Sequence, residues 1–459
     1  MVKDYHSKNI MIKFILSKIN RSNERSTSAV KNILASFVIK GVSIMVSLLL
    51  VPMTINYANP TQYGIWLTLS SIIGWFSFFD IGFGNGLRNR FAEAKAIGDY
   101  TKAKEYVSTT YICIGVIFAL VWALFFCVNF FLNWANILNA PAQMTKELSV
   151  VALIVMSFFC MQMVTKLINI VLIADQKPAK SALFDMFGQI FALIIIFILT
   201  KTTQGSLIYL ALALGFCPIL VTSISSFWFY NHEYKQYKPS FRLFKKGIVK
   251  DIVSLGSKFF ILQIAFIVTY QTSNIIISQI CGPQEVTVYN IAYKLFGIIN
   301  MVFMIINTPF RSAYTEAYAV GDLFWIKNAI EKMKKTWTLL ACAAIVLLVC
   351  SPLIYKIWIG NTISIPFMLS LFSCIYFLLL ARNGVYAHLM QGTGKVRLIL
   401  YSDVICCIVN IPVMILLGLK FGVVGVVFAN VLMALPTTII SPMQVKKIIN
   451  QQAVGIWNK

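Results

Sequence analysis

Long apolar runs alternate with short polar segments along the whole chain. Most of these runs contain about 20 to 25 residues, the length at which a helix crosses the roughly 30 Å hydrocarbon core of a bilayer. The pattern predicts twelve transmembrane helices and therefore an all-α, polytopic membrane fold. Their predicted ranges are residues 29–52, 63–86, 107–132, 148–174, 180–200, 206–230, 253–278, 286–310, 336–358, 364–389, 396–419 and 421–443.

A basic linker at residues 231–252 divides the predicted helices into two sets of six. We expect an N-lobe at 29–230 and a C-lobe at 253–459, the latter ending in a short tail. Residues 1–28 are basic and too polar to span a bilayer, and they lack a small-residue cleavage site. They are predicted to form an uncleaved interfacial segment.

An internal repeat relates the two lobes. Five residues recur in the same order and spacing 223 positions later: Arg88, Glu93, Ala94, Gly98 and Asp99 correspond to Arg311, Glu316, Ala317, Gly321 and Asp322. A second match, 218 positions apart, pairs Lys177 and Asp185 with Lys395 and Asp403. Since each lobe has an even number of helices, we expect a parallel repeat about an axis along the membrane normal, with a central cavity between the lobes.

Composition supports a membrane protein and argues against a soluble one. Hydrophobic residues make up 59% of the 459 residues and charged residues only 12%, with a mean hydropathy of +0.79. Soluble domains contain about a quarter charged residues. Most of the ten cysteines lie within apolar runs and show no metal-binding spacing, so we expect neither a metal site nor a cofactor.

The formal net charge of +23 reflects how the basic residues are distributed across the membrane. Of the 39 Lys and Arg residues, thirty fall on one side of the predicted membrane, four on the other and five within spans. The positive-inside rule places the first side, with both termini and the linker, in the cytoplasm. Topology therefore accounts for the charge, and we expect no nucleic-acid partner.

The segment from Tyr63 to Tyr111 carries a family resemblance. Its sequence YGIWLTLSSIIGWFSFFDIGFGNGLRNRFAEAKAIGDYTKAKEYVSTTY resembles the second span and following loop of bacterial polysaccharide transporters, the O-antigen and exopolysaccharide repeat-unit flippases of the multidrug/oligosaccharidyl-lipid/polysaccharide superfamily. The basic N-terminal segment and the QGTGK turn at Gln391–Lys395 are also similar to that family.

The resemblance implies a multi-pass protein of the bacterial inner membrane that is not an enzyme. Its implied substrate is an undecaprenyl-diphosphate-linked oligosaccharide unit of an O-antigen, capsule or exopolysaccharide. Such a transporter moves this substrate from the cytoplasmic to the outer leaflet by alternating access. Membrane lipids and glycan-assembly proteins are further candidate partners.

Charged residues inside the predicted spans supply candidate site residues. Each cation costs roughly 2.5 to 3.5 kcal/mol at a helix centre, so facing a hydrated cavity is favoured over facing lipid. Lys166 lies near a helix end, where snorkelling is the simpler explanation. Four cations are predicted to line the cavity and bind the substrate diphosphate: Lys40, Lys258, Lys294 and Arg382.

Three acidic residues lie near the cytoplasmic ends of predicted spans: Asp80, Asp185 and Asp403. Pairing with loop cations such as Arg88 or Lys177 is the simpler interpretation, and ion coupling or gating is the alternative. Tyr293, Trp66 and Trp75 lie on spans expected to border the cavity, where an aromatic face could stack on a sugar ring.

Two other functions remain as alternatives. A multidrug antiporter of the same fold would export cations in exchange for protons or sodium, and an acidic central cavity would favour it. A membrane enzyme that polymerises or transfers the glycan would need catalytic acids and a large outer loop. The excess of intramembrane cations disfavours the first, and the short outer loops disfavour the second.

Overall fold

The computed structural model describes the backbone of residues 2–307, 310–319 and 321–458, and the side chains of residues 38–254, 271–307, 310, 313–315, 317–318 and 321–458. Every regular element in this part of the chain is helical. The α-helices are α1 (Val2–Gly74), α2 (Phe83–Ala96), α3 (Tyr100–Asn129), α4 (Trp134–Leu138), α5 (Thr145–Thr165), α6 (Leu167–Ala174), α7 (Pro178–Thr202), α8 (Leu207–Asn231), α9 (Lys246–Cys281), α10 (Pro283–Asn307), α11 (Phe310–Ala319), α12 (Leu323–Ile359), α13 (Phe367–Thr393) and α14 (Arg397–Ile449). Short 3₁₀ turns occupy Trp75–Asp80, Ala142–Met144, Lys235–Tyr237, Phe241–Leu243 and Gly455–Asn458.

Two of the long helices are each broken at a single residue. In α1, Asn59 has a φ of 63° and precedes Pro60, whose ring disfavours a helical conformation at the preceding residue. In α14, Gly422 has a φ of 62°, which glycine adopts without steric cost. These breaks lie where the sequence predicts the turns between the first two and the last two spans.

Within the described residues, nine helices are long and apolar enough to cross a membrane, with each broken helix counted once. Gly422 divides α14 into two segments that are each long enough to span a membrane. Asn59 divides α1 into a long first segment and a shorter one at residues 60–74, which the 3₁₀ turn at Trp75–Asp80 extends. Helix α9 contains 36 residues, although its side chains at 255–270 lie outside the described residues. The fold is therefore polytopic and all-α, as predicted.

Helix boundaries depart from the predicted spans mainly where polar turns extend a helix. Helix α12 begins at Leu323, not at residue 336, because the side chain of Asp322 accepts a hydrogen bond from the backbone N of Trp325 and starts the helix earlier. The interfacial placement of residues 1–28 stays a prediction, since the side chains of 1–37 lie outside the described residues.

The sequence repeat reappears as matching backbone geometry. Gly98 and Gly321 have φ values of 78° and 77°. The next residue in each copy caps a helix, since Asp99 accepts from the backbone N of Lys102 and Asp322 accepts from that of Trp325, both at 2.9 Å. The same glycine–aspartate device thus starts α3 and α12.

The second repeat match also has a structural counterpart. The backbone N of Lys177 donates to Leu172 O at 2.9 Å, and that of Lys395 donates to Met390 O at 3.0 Å. The residue before each lysine has a positive φ, 59° at Gln176 and 73° at Gly394. The turns before α7 and α14 are therefore equivalent, which supports duplication of a common half.

The buried apolar residues form separate cores in the two halves. One cluster draws its buried residues from 57–252, whereas two clusters draw theirs mainly from 276–445. Three residues of α1 belong to the second group: Val51, Ile55 and Tyr63. Helix α1 therefore packs with both halves.

The helix connections gather at two ends of the bundle. We call the end that holds the linker, α2, α11 and the turn at Gly455–Asn458 the linker end. The opposite end, which holds α4 and the breaks at Asn59 and Gly422, is called the far end.

Candidate functional site

A cavity of about 1070 Å³ lies between α1 and α7 on one side and α10, α13 and α14 on the other. Its inner part is lined by Lys294 and Asn410, near the middle of their helices. Gln391 and Ser441, close to the linker end, line its outer part. The cavity therefore reaches from mid-bundle to the linker end, and residues of both halves line it.

Lys294 is the one predicted substrate-binding cation among the described residues that line this cavity. Its ammonium group donates a long hydrogen bond of 3.4 Å to the Tyr63 hydroxyl on α1. A bond of that length is weak and uses one of three ammonium donors. Lys294 therefore retains donors for an anion that enters the cavity.

The other predicted cations lie elsewhere. Lys40 is exposed on α1, outside the described cavity lining. Arg382 is exposed on α13, and its guanidinium lies 5.6 Å from the ring centroid of Trp337 on α12. The side chain of Lys258 lies outside the described residues. The structure thus does not bring Lys40 or Arg382 beside Lys294, and their role in binding stays a prediction.

Of the three acidic candidates, only Asp403 lines the cavity within the described part of the chain. Its carboxylate accepts a hydrogen bond of 3.1 Å from the Thr437 hydroxyl, across the two halves of α14. Lys294 and Asp403 together leave the described cavity lining close to neutral. The sequence predicted a cavity lined by several cations, whereas the described lining contains one cation and one acidic residue.

Asp80 and Asp185 have other surroundings. The Asp80 carboxylate accepts from the backbone N of Gly84 at 3.2 Å, where it stabilises the start of α2. Asp185 is exposed on α7 and interacts electrostatically with Lys166. Their proposed part in ion coupling or gating stays a prediction.

A buried amide network beside the cavity was not anticipated from the sequence. Asn410 Nδ2 donates to Asn430 Oδ1 at 2.9 Å, and Asn430 Nδ2 donates to the Ser273 hydroxyl at 3.3 Å. That hydroxyl in turn donates to the Met414 sulfur at 3.6 Å. Two asparagines in apolar spans were the available signal, but uncharged polar residues do not stand out by hydropathy.

An aromatic group borders the inner cavity. The ring centroids of Tyr293 and Phe377 lie 4.6 Å apart, and those of Tyr376 and Phe377 lie 5.4 Å apart. All three residues line the cavity. Tyr293 therefore lines the cavity, and its contact with a sugar ring stays a prediction.

The far end is closed by direct contacts between the halves. The Thr287 hydroxyl donates to Pro60 O at 2.6 Å, and Asn139 Nδ2 donates to Ser278 O at 3.0 Å. A Cβ atom placed on Gly64 would lie 1.7 Å from Pro283 O, so only glycine permits this backbone approach. We call these contacts the far-end seal.

At the linker end, ion pairs attach the linker to the N-terminal half. Glu233 accepts hydrogen bonds from Lys177 at 2.5 Å and Lys180 at 2.7 Å. Partial burial raises the pKa of the Glu233 carboxyl, but the hydrogen bonds and positive charges of these two lysines lower it by more. The pKa therefore lies below its ordinary value of 4.5.

The start of α9 is tied to the same half. Asp251 accepts from Arg90 at 2.5 Å and from the Tyr106 hydroxyl at 2.6 Å. Arg90 also pairs with Glu93 at 2.7 Å, so it connects α2 with the start of α9. Among the described residues, no three His, Cys, Asp or Glu side chains are grouped closely enough to hold a metal ion.

Solved structures with a similar architecture are transporters. An inward-facing multidrug resistance MATE family transporter of the MOP superfamily has a TM-score of 0.75 at 14% identity, covering 91% of this chain and all of that one. A MOP superfamily transporter of Pyrococcus furiosus, described as having a binding pocket of reverse polarity, has a TM-score of 0.64 at 14% identity and covers 93% and 97%. These similarities establish the fold.

Sequence relatives point to one branch of this fold. A Yersinia pseudotuberculosis protein named as an O-antigen export protein is 20% identical over 370 residues, covering 78% of this chain and 81% of the relative. A Salmonella typhi protein named as an O-antigen transporter is 21% identical over 259 residues, covering 56% and 58%. Residues 259–416 match the MatE family, and residues 29–314, more than half of the sequence, match the polysaccharide biosynthesis protein family. The chain belongs to the polysaccharide biosynthesis protein family.

Proposed function

We propose that this protein is a flippase that moves a polyprenyl-diphosphate-linked oligosaccharide from the cytoplasmic to the outer leaflet of the bacterial inner membrane. The observation that carries the proposal is a large cavity between the two halves, in a member of a polysaccharide biosynthesis family. The cavity is closed at the far end, and Lys294 is the one Lys or Arg residue in its described lining. Relatives named for O-antigen export and transport support the substrate class.

The cavity suits the headgroup of such a substrate. Its volume of about 1070 Å³ slightly exceeds the roughly 300 to 1,000 Å³ typical of sites for small ligands. An oligosaccharide can therefore occupy it while the polyprenyl chain stays in lipid. Lys294, at the inner end, is placed to donate to the diphosphate.

The direction follows from the distribution of charge. The linker end carries most of the Lys and Arg residues, which favours a cytoplasmic location for that end. The described state, with a cavity reaching the linker end and a seal at the far end, then receives substrate from the cytoplasmic leaflet. Breaking the seal and closing the linker end would release it outside, and no covalent bond needs to change.

A multidrug cation antiporter is the alternative, because the similar solved structures include multidrug transporters. Asp403 is the acidic group in the described cavity lining that such a function would use, and Lys294 lies in the same cavity. A cation substrate would be repelled by Lys294, whereas a diphosphate would be attracted. The cavity chemistry therefore favours the glycan substrate.

The test uses purified protein in proteoliposomes with a fluorescent undecaprenyl-diphosphate-linked disaccharide in both leaflets. A membrane-impermeant quencher reports transfer between leaflets. We expect transfer that exceeds the rate in protein-free liposomes and in liposomes with Lys294→Glu. Absence of transfer, together with ethidium accumulation driven by a proton or sodium gradient, would identify the antiporter instead.

A further inference from the structure

The cavity wall is rich in uncharged polar groups and poor in charge. Apart from His388, Lys294 and Asp403 are the titratable Lys, Arg, Asp or Glu residues of the described lining. The uncharged hydroxyl and amide side chains of the lining outnumber them and include Gln189, Asn383, Asn410, Asn430 and Ser441. Such a surface favours a ligand with many hydroxyl groups and little charge.

Several of these groups lack a hydrogen-bond partner among the described residues. Gln189 Oε1, Asn383 Oδ1, Asn410 Oδ1 and Ser441 Oγ are buried atoms of this kind. A buried acceptor without a donor costs free energy, so native proteins rarely keep one without a reason. All four belong to residues that line the cavity, so a ligand that enters it can supply the missing donors.

The acceptor role of Asn410 follows from its neighbours. The Ser273 hydroxyl donates to the Met414 sulfur, so its oxygen accepts from Asn430 Nδ2. The Asn430 carbonyl is then turned toward Asn410 and accepts from its Nδ2. This series of hydrogen bonds fixes the orientation of the Asn410 amide and leaves its oxygen as the atom without a partner. The Asn410 side chain is only 1% exposed.

The aromatic group supplies a second recognition element. Tyr293, Tyr376 and Phe377 line the same cavity as the amides and pack against one another. Aromatic rings present an apolar face together with, for tyrosine, a polar edge. This combination fits a sugar ring, whose C–H face is apolar and whose hydroxyl groups project from its rim.

We infer that the cavity selects uncharged glycans, using Gln189, Asn383 and Asn410 as acceptors for sugar hydroxyl and acetamido N–H donors. The inference rests on the proposed function and narrows its substrate class. A sugar carboxylate carries only hydrogen-bond acceptors, and it would face the amide oxygens, which are acceptors too. It would also compete with the diphosphate for Lys294 and be repelled by Asp403. Acidic repeat units are therefore poor substrates.

The experiment measures the binding of three probes to purified full-length protein in nanodiscs. The probes are undecaprenyl diphosphate without sugar, the same lipid with a neutral hexose–N-acetylhexosamine disaccharide, and the same lipid with a hexuronic acid in place of the hexose. We expect the neutral probe to bind about tenfold more tightly than the acidic probe. Equal binding of these two would overturn the inference, whereas failure of all three would overturn the proposed function.

Variants locate the selectivity. Asn383→Leu and Gln189→Leu should each weaken binding of the neutral probe about tenfold while leaving the sugar-free lipid unchanged. Asn410→Ser tests the third acceptor and keeps a small polar group. The control is Asn231→Leu at the linker end, whose amide is paired with Phe227 O and Lys238 and lies far from the cavity. If the cavity variants weakened binding of the sugar-free lipid as much as binding of the neutral probe, the amides would have a structural role and the inference would be overturned.

Discussion

At the scale of single residues, the position of a charge around its helix matters as much as its depth. Lys294 and Arg382 both lie within apolar helices, but one lines the cavity and the other packs over Trp337. Both helices are apolar on every face, so the sequence contains no amphipathic pattern that would show which way each cation points. Depth could therefore be predicted, whereas the facing direction required the packed structure.

Substitutions at Lys294 should test its role. Lys294→Gln should reduce flipping roughly 10- to 100-fold, the effect of losing a hydrogen bond from a charged donor worth about 1.5–3 kcal/mol. Lys294→Arg should be milder because the charge remains, and Lys294→Glu should be the most severe because it repels the diphosphate. The proteoliposome assay at matched protein levels measures the order.

Arg382→Gln is the matched control for this series. It removes a cation over Trp337, worth roughly 0.5–1 kcal/mol at an exposed site, and should leave flipping within about twofold. If Arg382→Gln and Lys40→Gln were as damaging as Lys294→Gln, the four-cation site predicted from the sequence would be favoured, and the assignment to Lys294 alone would be wrong.

At the scale of helices and turns, the sequence is informative where a local rule fixes the backbone. Gly98 with Asp99, and Gly321 with Asp322, start helices through a cap that needs only neighbouring residues. The spans predicted by hydropathy begin later, at residues 107 and 336, because hydropathy does not register such a cap. The far-end seal could not be predicted, since Gly64 and Pro283 meet only when α1 and α10 pack together.

Gly64 provides a test of the seal. Gly64→Ala would place a methyl group against Pro283 O, forcing α1 and α10 apart and favouring the state in which the far end is open. Spin labels at Thr61 and Gln284 should then show a longer and broader distance distribution. Gly41→Ala, also on α1, is the control, because no neighbouring atom lies within 4 Å of the Cβ that it adds. An unchanged distance in Gly64→Ala would contradict the seal.

The linker's attachment predicts a dependence on pH. Because the pKa of Glu233 is lower in the folded protein than its ordinary value of 4.5, this carboxylate contributes stability above pH 4.5 that is lost as the pH falls through the folded-state pKa. The side chain is about one-third exposed, so the contribution is at most about 1 kcal/mol.

Thermal unfolding in detergent checks this contribution. Glu233→Gln should lower the Tm at pH 7 but have a much smaller effect below the folded-state pKa, where the native carboxyl is already protonated. Glu93→Gln, which affects a more exposed pair, is the comparison. An equal loss of Tm for Glu233→Gln at both pH values would assign Glu233 a role that does not depend on its charge.

At the scale of the whole molecule, the charge distribution predicts orientation. Gln236 is exposed at the linker end and Gln143 is exposed at the far end, so cysteines introduced there should be accessible. In intact cells, an impermeant maleimide should label Gln143→Cys but should label Gln236→Cys only after permeabilisation. The reverse pattern would invert the proposed direction of transport. Tyr237 is unsuitable as a labelling site because it is buried against Phe91.

The separation of the buried cores has a consequence for biosynthesis. The core of the first half draws its buried residues from 57–252, all of which a ribosome completes before the second half. The second half instead includes Val51, Ile55 and Tyr63 of α1 in its own core. The first half can therefore pack while translation continues, and its earliest helix then serves as the template on which the later half assembles.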